Sequence, residues 1–121
     1  MIPDLFSHQF ETGKANQAIY NEQKTRLSVN AFIILFCLLD GQHLSAIDFV
    51  GGIQFDGMNR KKVMCEYRRR LCELRDGGIQ IKYAVCIGGY KVHNIEDNLR
   101  AAYLAKYEPH RLELLAKINK A

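Results

Sequence analysis

The run of nine consecutive apolar residues from Ala31 to Leu39 constrains this chain more than any other part of its sequence. A helix through this run is apolar on all sides, so other elements must cover it from most directions. The run is far shorter than the roughly 20 residues that span a bilayer, and no membrane partner is predicted. Ser28 or Asn30 is the candidate N-cap, and Asp40-Gly41 is typical of a helix end. The sequence therefore predicts a buried central helix.

A short helix and a glycine-containing connector are predicted to follow. Ser45 is a candidate N-cap, and Asp48, three positions later, is placed to complete a capping box. The glycine pair at residues 51–52 ends this helix. In the connector, residues 51–58, the Asp56-Gly57 pair predicts a turn.

Residues 59–76 predict a third helix with two unlike faces. Residues 59–75 carry seven Lys or Arg and two Glu, a net charge of +5, whereas the whole chain has +4, so the remainder is −1. Positive charge concentrated on one element favours a polyanionic partner. A basic face that is simply solvated is the alternative interpretation. The opposite, apolar arc of this helix consists of Val63, Met64, Tyr67, Leu71 and Leu74.

The sequence after this helix predicts a β-hairpin and two further helices. Residues 79–85 alternate with a period of two and are rich in β-branched and aromatic side chains, as strands are. Gly88-Gly89 predicts the turn, and residues 90–93 the second strand. Helices are predicted over residues 94–107 and 109–119. The last of these carries an apolar stripe assigned to dimerisation, formed by Leu112, Leu115 and Ile118.

The order of these elements predicts an α+β protein, mostly α, with a winged helix-turn-helix architecture. The domain occupies residues 28–93 and has a two-stranded hairpin as its wing. Residues 94–121 add C-terminal helices that serve as a dimerisation element. Residues 1–27 are predicted to be an N-terminal arm, weakly structured or a marginal helix.

Three segments carry a resemblance to a known family. Residues 70–81 read RLCELRDGGIQI, residues 88–92 read GGYKV, and residues 39–49 read LDGQHLSAIDF. They resemble the winged helix-turn-helix domains of phage and bacterial regulators, whose recognition helix commonly ends in I-x-x-L-R-x-x-G-I-x-I and whose wing contains G-G-Y-x-L. The resemblance covers a little over half of the chain. It implies a third helix in the major groove of DNA and a wing along the backbone or the minor groove.

The basic helix and the hairpin supply the candidate DNA contacts. Arginine can pair with guanine through two hydrogen bonds, whereas lysine acts mainly as a point charge on phosphate. Asparagine and glutamate match adenine and cytosine, respectively. The candidate DNA-binding residues are Asn59, Arg60, Lys61, Lys62, Glu66, Arg68, Arg69 and Arg70 on the helix, and Lys82 and Lys91 on the hairpin.

The function predicted from the sequence is that of a small, sequence-specific, double-stranded DNA-binding regulator of phage or bacterial type, acting as a homodimer in the cytoplasm. The alternative is a phage-type inhibitor or adaptor whose winged helix binds a host protein, because the connector 51–58 is longer than usual and the net charge is modest. The sequence contains no GK[ST] phosphate loop, His-Glu-x-x-His or Gly-x-Ser-x-Gly motif, so no enzyme, cofactor or metal is predicted. The four cysteines form no CxxC pair and are expected to be free thiols.

Overall fold

The computed structural model describes residues 27–120 as an α+β fold, so the predicted N-terminal arm lies outside the described residues except for the buried Leu27. No helix in this part of the chain has the length and apolar character needed to cross a membrane. In chain order the elements are α1 (Val29–Leu39), β1 (Leu44–Ser45), α2 (Ala46–Gly51), α3 (Tyr67–Asp76), β2 (Lys82–Val85), β3 (Lys91–Asn94), α4 (Asp97–Tyr107), a 3-10 turn (Glu108–His110) and α5 (Arg111–Ile118).

The predicted central helix is confirmed as α1. Eight of its 11 residues are buried, and they form the middle of the hydrophobic core. The Ser28 hydroxyl caps its N-terminus by accepting a hydrogen bond from the Ala31 N–H at 3.2 Å. Gly41, just beyond its C-terminus, has a φ of +92°, a conformation that glycine adopts without strain.

The predicted hairpin forms part of a three-stranded antiparallel sheet with the strand order β1-β3-β2. Gly88 and Gly89 turn the chain between β2 and β3 with φ values of +100° and +81°. The strand begins at Lys82 rather than at Ile79, where the alternating pattern starts. The added strand, β1, pairs Ser45 with Val92, and its two residues are too few to produce a pattern in the sequence.

The predicted helix over residues 59–76 is wrong in its N-terminal half, because α3 begins only at Tyr67. The chain after α2 folds back on itself and forms an antiparallel bridge between Ile53 and Lys62. Each of these two residues donates its backbone N–H to the other's carbonyl oxygen, at 2.9 and 2.8 Å. Backbone groups used in this bridge are not free for a helix, so the helical spacing of the apolar residues does not decide the structure here.

The same bridge changes which residues of the predicted apolar arc are buried. The Met64 N–H donates to the Phe49 carbonyl at 2.7 Å, which draws Met64 into the core. Val63, its neighbour in the predicted arc, is 53% exposed instead. Leu71 and Leu74, which lie within α3 itself, are buried as the pattern predicts.

The C-terminal helices belong to the same core as α1. Tyr107 and Leu114 are buried members of that core, and Leu115 and Ile118 pack against it. Two of the three side chains assigned to dimerisation are therefore used inside the described domain. Only Leu112 of the predicted stripe is free for a partner, with 79% of its surface exposed.

Candidate nucleic-acid interface

The basic loop, defined as residues 59–66, contains the Lys62 side of the Ile53–Lys62 bridge, leads into α3 and is held by the residue that follows α5. The Asn119 side chain accepts a hydrogen bond from the Asn59 N–H and donates one to the Gly57 carbonyl, both at 2.9 Å. Gly57 has a φ of +102°, and a Cβ there would lie 2.8 Å from Leu115 Cδ1. Only glycine fits this turn without strain, so the loop is anchored on both sides of its start.

The cationic side chains of the basic loop point outward. Arg60, Lys61 and Lys62 are all exposed. The Lys61 side chain starts beside Gly52, because a Cβ on that glycine would lie 3.0 Å from Lys61 Cβ. In the described residues, neither Lys61 nor Lys62 takes part in an ion pair. Their charges are therefore available to an external anion.

Helix α3 presents two more arginines beside the loop. Its Leu71 and Leu74 are buried, whereas Arg68 and Arg69 are exposed. The Arg68 guanidinium lies 5.9 Å from the ring centroid of Tyr67, which itself stacks on a core phenylalanine. The predicted reader Glu66 is the N-cap residue of α3 rather than a position within the helix. The loop and the first turn of α3 thus form one surface from which five cations project.

Arg70 does not belong to this surface, although the sequence placed it there. Its side chain is only 18% exposed and forms an ion pair with Glu73 at 2.7 Å. Arg70 Nη1 also donates to the Ser28 hydroxyl at 3.1 Å. Since Glu73 accepts from both the N–H and the hydroxyl of Ser28, the cluster joins α3 to the N-terminus of α1. Helical spacing alone puts Arg70 near the apolar arc but cannot reveal a partner on α1.

Arg75 connects α3 to the β2–β3 hairpin, a role that the sequence analysis missed. Its guanidinium donates to the Ile81 carbonyl at 3.3 Å, directly before β2. Arg75 and Lys82 line an open groove of about 590 Å³ together with Glu96, which pairs with Lys82 at 3.3 Å. Arg75 lies seven residues, or about two helical turns, after Arg68, so the two side chains lie on the same face of α3. This spacing is the sequence feature from which Arg75 could have been predicted to lie beside the candidate site.

The second candidate lysine of the hairpin, Lys91, has an aromatic neighbour. Its ammonium lies 4.6 Å from the centroid of the Tyr83 ring, and Tyr83 is paired in register with His93. This cation–π contact with a ring on the adjacent strand holds the Lys91 ammonium in place, so its positive charge has a fixed position on the hairpin.

His93 is buried between the sheet and the helices, and its Nδ1 has no hydrogen-bond partner among the described residues. Burial lowers its pKa, and the charges of Arg75 and Lys91 lower it further. The unfolded chain therefore binds a proton at His93 more readily than the folded chain does. Stability from this group is present at neutral pH and is lost as the pH falls below about 6.5, the ordinary histidine pKa.

We accordingly expect the free energy of unfolding to decrease between pH 7 and pH 5, with His93 contributing at most about 1.4 kcal/mol per pH unit. Urea titrations followed by circular dichroism at several pH values measure this slope. In a His93→Gln variant the slope should become smaller. His43 is exposed, so His43→Gln should behave as the wild type does. An equal slope in His93→Gln and wild type would contradict the assignment.

Comparison with known proteins adds no relative to this description: no family model, curated protein or solved structure matches the chain. Within residues 27–120, no group of three or more His, Cys, Asp or Glu side chains could hold a metal ion. The basic loop, the exposed face of α3 and the hairpin lysines are thus the features from which a function has to be inferred.

Proposed function

We propose that the chain is a winged-helix protein that binds double-stranded DNA through the basic loop, the first turn of α3 and the β2–β3 hairpin. The element order supports this: a buried helix, a short helix, a basic helix with a glycine stop and a hairpin follow one another, as in winged helix-turn-helix domains. In the described range, the short β1 lies between the first two helices and extends the hairpin sheet.

A single observation carries the proposal. Lys61, Lys62, Arg68 and Arg69 are exposed within nine residues of one another, and no described carboxylate pairs with any of them. Like charges this close repel one another, and a phosphate backbone offers the compensating anions. On a helix surface, acidic and basic side chains three or four positions apart stabilise one another, and these four cations form no such pair among the described residues.

The proposed contacts differ in kind along this surface. Arg68 and Arg69 stand in the first turn of α3, the part of a recognition helix that reaches base edges, where a guanidinium can bind guanine through two hydrogen bonds. Lys61 and Lys62 precede the helix and suit phosphate oxygens, as does Lys91 on the hairpin. Glu66 and Asn59 are retained as proposed readers of cytosine and adenine. Arg70 is assigned to the α1–α3 contact and not to DNA.

The experiment that tests the proposal is fluorescence anisotropy with two labelled duplexes over a series of salt concentrations. One duplex is the segment upstream of the protein's own gene, and the other is a pool of random sequence. Lys61, Lys62 and Lys91 are three proposed phosphate contacts, and Arg68 and Arg69 would add two if they bind phosphate, so we expect a slope of log K against log salt of about −2.7 to −4.5, with tighter binding to the upstream segment. Absence of binding at low salt would overturn the proposal.

A second candidate function is docking of the same domain on a host protein, as an inhibitor or adaptor. The observation that favours it is three exposed apolar side chains: Ile47 and Val50 on α2 are 74% and 53% exposed, and Val63 in the basic loop is 53% exposed. Exposed apolar clusters mark protein interaction sites. A stoichiometric partner recovered from nuclease-treated host lysate, and lost with Ile47→Ser and Val50→Ser, would select this function over DNA binding.

A further inference from the structure

The turn of the β2–β3 hairpin holds one apolar side chain almost entirely in solvent. Ile87 is 98% exposed at the tip. The Gly89 N–H donates to the Cys86 carbonyl, and the Cys86 N–H donates to the Tyr90 carbonyl, both at 2.9 Å. These bonds close the turn tightly behind Ile87. Removing a large, exposed apolar side chain from water is favourable, so a partner that covers Ile87 gains binding free energy from it.

The charges around Ile87 indicate what covers it. Residues 77–95 contain two lysines and no carboxylate. Lys91 stands at the start of β3, next to the apolar tip, whereas Lys82 lies at the opposite end of β2 and is paired with Glu96. A surface that is apolar at the tip, has a cation beside it at Lys91 and has no carboxylate within residues 77–95 is complementary to stacked bases lying between two phosphate strands.

The hairpin is also continuous with the proposed DNA surface. Arg75 of α3 is bonded to the Ile81 carbonyl, one residue before β2. A duplex held on Arg68 and Arg69 therefore extends toward the hairpin along α3. In contrast, the exposed Ile47 and Val50 flank the carboxylate of Asp48 and lack cationic neighbours on their own helix. The cationic Lys91 therefore belongs to the same element as Ile87, whereas α2 itself carries only the Asp48 carboxylate.

We propose that Ile87 is a wedge that enters the minor groove of the bound duplex, partly unstacks one base step and bends the DNA. The inference rests on the proposed DNA binding and adds a second activity to it. Apolar side chains inserted in this way kink a duplex toward the major groove, because the unstacked step opens on the minor-groove side. The chain would then act as a DNA-bending protein as well as a binding protein.

Ring closure of a linear DNA fragment by ligase tests this without knowledge of the target sequence. A fragment of about 150 base pairs, one persistence length, circularises poorly unless a protein bends it. The full-length wild type should accelerate ring closure on the order of ten-fold. Ile87→Ser should abolish the acceleration and weaken binding roughly ten-fold, as expected when a buried isoleucine contact is lost. The salt slope of Ile87→Ser should equal that of the wild type, because no charge is removed.

Two control variants and one further measurement make the outcomes decisive. Ile87→Leu keeps the wedge and should retain the acceleration, whereas Val29→Ser makes a comparable change at an exposed site on α1, away from the hairpin, and should leave the acceleration intact. If the wild type binds DNA without accelerating ring closure, or if Ile87→Ser still accelerates it, the proposed wedge is wrong but the proposed DNA binding stands. No wild-type binding in anisotropy would overturn both. The last outcome is that the protein sediments with phosphatidylserine vesicles in a way that Ile87→Ser abolishes, while having no effect on ring closure. That result would show that the tip binds a bilayer, and it would also overturn the wedge.

Discussion

Replacing Arg111 with methionine is expected to lower the free energy of unfolding by about 2–4 kcal/mol, the largest effect of any single charged residue described. The Arg111 side chain is only 14% exposed. It donates to both carboxylate oxygens of Asp40, at 2.9 and 3.2 Å, and to both of Glu108, at 2.7 and 2.8 Å. Its guanidinium also lies 4.7 Å from the ring centroid of Phe36.

The cost arises because Arg111 compensates two carboxylates at once. Burial alone would lower the pKa of Arg111, but the hydrogen bonds and charges of Asp40 and Glu108 outweigh it and raise that pKa. Asp40 is the C-cap residue of α1, where the negative end of the helix dipole disfavours a carboxylate. It also accepts from the Asp56 N–H at 3.2 Å, so Arg111 stabilises the start of the Asp56-Gly57 turn. Removal of the Arg111 cation leaves the negative charges of Asp40 and Glu108 without this compensation.

Urea unfolding of the full chain at pH 7 measures the effect, with Arg100→Met as the matched control. Arg100 pairs with Asp97, whose side chain is 91% exposed, so its loss should cost less than about 1 kcal/mol. Arg111→Lys keeps the charge but not the paired hydrogen bonds, and its stability should fall between wild type and Arg111→Met. Equal stability of the Arg111→Met and Arg100→Met variants would show that the cluster contributes nothing beyond a surface ion pair.

Local signals in the sequence predicted most element ends of the described fold. Ser28 caps α1, the Asp48 carboxylate accepts from the Ser45 N–H at 2.8 Å, and the glycines at 41, 78 and 88–89 adopt positive φ. Each of these features depends on residues a few positions apart, which is why the sequence alone reveals them.

Several features that the sequence did not predict depend on partners far apart in the chain. The ion pair of Arg111 joins residues 71 positions apart, and the hydrogen bond from Asn59 to Asn119 joins residues 60 apart. The start of α3 is decided by the Ile53–Lys62 bridge, which no helical pattern encodes. For the candidate site, the sequence identified the basic stretch correctly as a group of exposed cations but could not separate Arg70, which has a partner on α1, from Arg69, which is exposed.

Changing Arg68 and Arg69 together to alanine is expected to have the largest effect on DNA binding. The two side chains are exposed in the first turn of α3, away from Leu71 and Leu74, so the fold and its melting temperature should be unaffected. Affinity for DNA should fall roughly 30-fold or more, because each arginine contact with guanine or phosphate is worth about 1 kcal/mol or more. If both contact phosphates, the salt slope should become less negative by about 1.8, or 0.9 per contact.

The control for this loss of two charges is Lys106→Ala with Lys117→Ala, two exposed lysines on the C-terminal helices. This variant has the same net charge, so a general electrostatic attraction would weaken binding equally in both. The double lysine variant, Arg68→Lys with Arg69→Lys, then separates two kinds of contact. It keeps the salt slope in either case, but if the guanidinium groups bind guanine it should lose the preference for the upstream segment over the random pool, because lysine cannot reproduce the two parallel hydrogen bonds. Binding of Arg68→Ala with Arg69→Ala that matches the Lys106 and Lys117 control would place the DNA site elsewhere on the chain.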